Sequence, residues 1–135
     1  MAEAVTREER TMTTQRQQTV EHRGFDAPDE IREFDHGRAE VLNMADGAIG
    51  RLVLHPGWQW SRDVKPLVGT EWCEAPHFQY HVSGKLRVRM ADGDEFDVGP
   101  GSISSLPQGH DAWVVGDEDV VLVDWYGATD YAKRT

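Results

Sequence analysis

The run Lys85-Leu-Arg-Val-Arg-Met90 constrains this chain more than any other. It alternates with period two, which puts Leu86, Val88 and Met90 on one face and basic side chains on the other. Just beyond it, Asp92-Gly93 is the tight-hairpin dipeptide, and Glu95-Phe-Asp-Val98 carries the return strand. Gly99-Pro-Gly101, Pro107-Gln-Gly109 and Gly116-Asp117 divide the C-terminal third of the chain into Ser102–Leu106, His110–Val115 and the apolar run Val120–Trp125. Upstream, the strands Arg38–Met44 and Ala48–Leu54 flank the turn Asp46-Gly47. Trp58-Gln-Trp60 alternates into a further strand, Arg62–Thr70 is irregular, and Pro28–Phe34 reads as a helical turn or an edge strand. Short strands with Gly/Pro punctuation predict an all-β sandwich or small barrel. No helix of ordinary length competes.

The coordinating chemistry gathers in Glu71-Trp-Cys-Glu-Ala-Pro-His-Phe-Gln-Tyr-His-Val-Ser-Gly84. On a helix, Cys73, His77 and His81 would form one stripe. Pro76 argues against that helix, and the run Phe78–Val82 is aromatic and β-branched. On a strand, residues two apart can share an ion, while residues four apart are roughly 13 Å apart and cannot. The expected cluster is therefore Glu71 with Cys73, a bend at Glu74-Ala75-Pro76, then His77, with His110 approaching from another strand. His81 and Gln79 point inward with His77 by parity, as pocket residues that would orient a substrate. Tyr80 points out. For each of these the bland alternative is structural, Cys73 as a small buried hydrophobe and His110 as a side chain that closes its own turn.

Length and charge exclude several classes. One domain is expected from 135 residues, and no apolar run approaches the length of a membrane span. Residues 1–23 hold four acidic and four basic side chains, so the net charge of -10 belongs to residues 24–135. Such a domain repels phosphate backbones, and no nucleic-acid partner is expected. Residues 1–23 are polar without an apolar period and read as a mobile arm. A single cysteine and the lack of a signal-peptide pattern at Met1 lead to an expectation of the cytoplasm. Five tryptophans mostly serve a core, but Trp60, Trp72 and Trp113 are candidates to line an apolar pocket for a planar ligand.

Two segments resemble the motifs of the cupin superfamily, which are small jelly-roll barrels. Gly101-Ser-Ile-Ser-Ser-Leu-Pro107-Gln-Gly109 matches the second motif, with His110 directly after Gly109 rather than three places on. His77, separated from Gly84 by six residues, stands where the first motif has Glu, and Glu71-x-Cys73 stands where it has His-x-His. The likeness covers about Arg38 to Trp125. It implies a single-domain cupin barrel over 24–135, a homodimer, and a divalent metal held by Glu71, Cys73, His77 and His110. A mixed Glu/Cys/His/His set favours zinc, then iron. The barrel would bind or act on a small organic molecule by oxygenase, isomerase or hydrolase chemistry; the catalytic residues stay unassigned. The alternative is a metal-free module that binds or senses a small apolar ligand without turnover.

Overall fold

The computed structural model describes residues 19–125 and 131–133. Nine strands run in chain order: β1 (Glu30–Phe34), β2 (Gly37–Met44), β3 (Gly47–Leu54), β4 (His77–Ser83), β5 (Lys85–Met90), β6 (Glu95–Val98), β7 (Ile103–Leu106), β8 (His110–Val115) and β9 (Val120–Asp124). They make a six-stranded sheet, β1-β2-β3-β9-β4-β7, facing a three-stranded sheet, β6-β5-β8. Every pairing is antiparallel. The architecture is an all-β jelly-roll sandwich.

Alternation explains which side chains fill it. In β5, Leu86 and Val88 face the core while Arg87 turns out to Asp97 of β6. Val120 and Leu122 of β9 and Leu52 and Leu54 of β3 close the core from the larger sheet. Pro28–Phe34 resolves as edge strand β1. The expected strand over Trp58–Trp60 does not form. Only Gln59 bridges to Trp113, and Trp60 opens a single helical turn, α1 (Trp60–Asp63), followed by α2 (Lys65–Val68). The local chemistry favours that turn. Asp63 accepts from the Gln59 N–H at 3.0 Å, and Asp111 accepts from the Ser61 N–H at 3.0 Å, so backbone donors at its start are satisfied. Trp58 and Trp60 are nevertheless both buried, as their shared parity suggested.

Of the arm expected over 1–23, residues 1–18 lie outside the described residues. Glu21 accepts from the Ala45 N–H at 3.0 Å, and Arg23 pairs with Asp29. On the outer face of β2 and β3, Glu40 is buried between Arg38 and Arg51, and Arg51 also lies over the Phe25 ring at 5.0 Å. The other half of that face is apolar. There Phe78, Tyr80, Val82, Ile103 and Trp125 are all well exposed. Cross-strand pairing joins them into one patch: Tyr80 sits between Ile103 and Val123, and the Phe78 and Trp125 rings lie 6.2 Å apart.

A candidate metal centre in the barrel

One short bridge and one short connection put the chemistry together. Cys73 pairs with His110 across an isolated antiparallel bridge, with the Cys73 N–H donating to the His110 carbonyl at 2.9 Å. Directly opposed antiparallel residues hold their Cβ atoms about 4.5–5.5 Å apart, so both side chains enter the barrel side by side. Glu74-Ala75-Pro76 then carries the chain across to the facing sheet, where His77 begins β4. Cys73, His77 and His110 are all buried, and one donor atom from each lies within 4.8 Å of the others.

The hydrogen bonds fix which ring nitrogens are free. His110 Nδ1 lies 2.9 Å from the Pro107 carbonyl oxygen, which only accepts, so Nδ1 carries a hydrogen and Nε2 is the nitrogen left for the cluster. His77 Nδ1 donates to the Asp124 carboxylate, and its Nε2 faces Cys73 Sγ at 3.8 Å. Asp124, fully buried on β9, also accepts from the Phe78 N–H at 3.1 Å. A carboxylate or carbonyl behind each imidazole is the usual support of a metal-ligating histidine.

Electrostatics follow from this packing. Burial works against charge on His77, but the bonds to Asp124 and then Cys73 outweigh it and push its pKa up to about 9. Burial raises the Cys73 thiol, yet His110 and His77 overcome that and pull it down to about 6. The cluster at neutral pH is thus a thiolate beside a protonated imidazole. Tyr131 packs against the His77 ring with centroids 5.5 Å apart, its phenol pushed well up first by burial and then by Cys73 and Asp124.

The donor set fits a divalent transition metal. A tetrahedral zinc with one sulfur and two nitrogen ligands would place donors roughly 3.3–3.6 Å apart, and the Cys73–His77 pair is already close to that spacing. Three protein ligands would leave further positions open, the pattern of a reactive rather than a closed structural site.

The structure separates the other expected site residues. Glu71 stands apart from the cluster, exposed and paired with Lys65 at 3.3 Å, because the Thr70–Trp72 segment is a loop and strand parity does not apply to it. His81 is buried below the cluster with its Nε2 2.8 Å from Ser104 Oγ, and burial lowers its pKa. It does not line the cavity beside the Cys73, His77 and His110 cluster, whereas Gln79 and Trp60 do. Trp72 and Trp113 are half-buried and lie outside that cavity. The cavity measures about 30 Å³, with walls that include Leu54, Leu106 and Leu122. Asp124 and Tyr131 belong to this site and were not singled out from sequence, while Trp58, which also lines the cavity, was read there as sharing a face with Trp60. Of the two, only Asp124 left a trace there, as a carboxylate at an inward position of the buried run Val120–Trp125.

No family model and no curated protein matches the chain. Solved structures do. An S161A variant of Bacillus subtilis oxalate decarboxylase superposes with a TM-score of 0.56 at 21% identity, over 76% of this chain and 29% of that one. CapF, solved with the inhibitor 3-isopropenyl-tropolone, gives 0.51 at 19% identity over 73% and 30% of the two chains. A DUF1255 protein of unknown function from Acinetobacter sp. ADP1 gives 0.54 at 14% identity over 73% and 90%. The chain spans about a third of the length of the oxalate decarboxylase and CapF chains. These neighbours share the cupin fold, and the described chain is by its fold a small cupin-type domain.

Proposed function

We propose that the domain holds one divalent transition ion, zinc before iron, on Cys73, His77 and His110, and binds a small organic molecule at the open positions. One observation carries this reading: three buried donors converge while both histidines commit Nδ1 to an oxygen acceptor behind them. Thiolate plus two imidazoles is a borderline-soft set suited to zinc. The ion would supply Lewis acidity or activate a bound water. This chain's part is to place the donors and to exclude bulk water through the leucine and tryptophan walls.

Titration of metal-free protein with zinc by calorimetry tests it. About one equivalent should bind and release close to one proton per ion at pH 7.5. Cys73 is already a thiolate there, while His77, near 9, must give up its Nε2 hydrogen. Apparent affinity should then rise roughly tenfold per pH unit until about pH 9. A stoichiometry below a tenth of an equivalent ends the metal reading.

The same contact favours one rival, a metal-free binding module, because thiolate and imidazolium at 3.8 Å already satisfy each other. Tryptophan quenching by a small apolar ligand that survives chelation would support it.

For the exposed apolar outer face of β7, β4 and β9 we infer a second copy of this chain. None of its five well-exposed side chains is charged, so the patch can meet itself without bringing like charges together. Their exposed area, roughly 400–500 Å² in all, would form the apolar centre of an interface near 800 Å² per partner. Light scattering should show a dimer that becomes monomeric in the Tyr80→Lys/Ile103→Lys double variant. A wild-type monomer at about 50 µM, or a variant that stays dimeric, overturns it.

A further inference from the structure

Cys73, His77 and Asp124 stand in the order of a nucleophile, a base and the group that orients the base. Cys73 Sγ lies 3.8 Å from His77 Nε2, and His77 Nδ1 donates to the buried Asp124 carboxylate. A thiol within reach of an imidazole, with that imidazole held from behind by a carboxylate, is the arrangement that activates sulfur for attack. The two halves of the set come from distant parts of the chain, Cys73 and His77 across the bend at Pro76 and Asp124 from β9.

Space and charge select the electrophile. Cys73 and His77 line a cavity of about 30 Å³, and a water needs about 10–15 Å³ of such space, so two or three water-sized groups fit. Thioesters and peptides exceed it. The set of Cys73, His77 and Asp124 is net negative whichever of Cys73 and His77 holds the shared proton, so its apolar surroundings disfavour an anion and admit a neutral molecule. Trp58 lines the same cavity, and its buried indole N–H has no acceptor among the described residues, a group that an oxygen-bearing occupant can satisfy. Hydrogen peroxide, neutral and of two heavy atoms, meets these limits and oxidises thiols.

We propose that Cys73 is a peroxide-reactive thiol, with His77 as its base and Asp124 as the residue that positions His77. The thiol proton passes to His77 Nε2, sulfur attacks one peroxide oxygen, and the O–O bond breaks. The departing hydroxide takes the proton back from His77 and leaves as water. Sulfur is oxidised by two electrons to the sulfenic acid, and the peroxide is reduced. The chain has a single cysteine, so no internal disulfide follows. An ion on Cys73 and His77 would engage both the attacking sulfur and its base, so metal binding and peroxide reaction exclude each other.

Hydrogen peroxide consumption by reduced, chelator-treated protein tests this, with dimedone capture of the sulfenic acid at Cys73 read by mass spectrometry. Consumption should run at least about a hundredfold faster than by N-acetylcysteine in the same buffer, the scale of general acid–base assistance. A smaller advantage, or no dimedone adduct, overturns the proposal. tert-Butyl hydroperoxide should show no such advantage, and equal reaction with both peroxides overturns it too. His77→Gln should lower the rate at least about thirtyfold, and a smaller loss in a folded variant removes His77 as the base. Should that variant fail to fold, the size selectivity of the wild type decides. No ion takes part in this assay, so a thiol inert to peroxide ends the proposal and leaves the metal reading intact.

Discussion

Asp124→Ala should be among the most damaging single substitutions in this domain, costing about 3–5 kcal/mol of stability in the metal-free protein. Its carboxylate is fully buried and receives both His77 Nδ1–H and the Phe78 N–H. Removing it leaves two donors without an acceptor and a protonated imidazole without its main counter-charge. Metal affinity should fall by about 10–100-fold as well, since the carboxylate fixes the tautomer that presents Nε2. Asp124→Asn separates charge from shape and should show a pH signature. His77 has its folded pKa raised from 6.5 to about 9, so the stability gained from its charge is fully present below 6.5 and lost as pH rises through 9. Urea midpoints should therefore put the Asn variant furthest below wild type near pH 6, with the gap closing by pH 9.5. A gap that is constant with pH would show that Asp124 acts through packing alone.

Gly84→Ala should destabilise by about 3 kcal/mol or more, a loss of roughly 10 °C in Tm for a domain of this size. Gly84 takes the chain from β4 in one sheet to β5 in the other at φ +75, and a Cβ there would sit 2.4 Å from the Asp119 carbonyl oxygen and 2.7 Å from Val120 Cα. Both obstacles are backbone and cannot swing aside. Gly93 is the control: its φ is +104, but a Cβ would meet nothing within 4 Å. Gly93→Ala isolates the backbone strain, about 1–2 kcal/mol. If the two variants melt together, the close approach of β9 to the crossover contributes nothing.

The strands were legible because their signal is local. Period two in Lys85–Met90 and turn dipeptides such as Asp92-Gly93 need no knowledge of the rest of the chain. Trp58–Trp60 misled for the same reason. Its apolar parity is that of a strand, but carboxylates of Asp63 and Asp111 support a helical turn, and Asp111 lies 50 residues beyond Ser61. The site divides likewise. Cys73 and His77 sit in one stretch, and the bend through Pro76 that brings them together was readable. Glu71 looked equivalent only while its segment was taken as strand. Asp124 and Tyr131 reach His77 from 47 and 54 residues away, and no spacing within either segment encodes that approach.

The position of β9 also sets an order of assembly. It inserts between β3 and β4, both earlier in the chain, so that Asp124 pairs with Gly50 on one side and Gln79 on the other. The large sheet therefore cannot grow outward strand by strand, and such non-local pairing slows folding. A nascent chain extended only through β8 already carries Cys73, His77 and His110 but lacks the carboxylate that orients His77. In biosynthesis the three candidate donors precede the carboxylate that orients His77, so the cluster is completed only when the closing strand arrives.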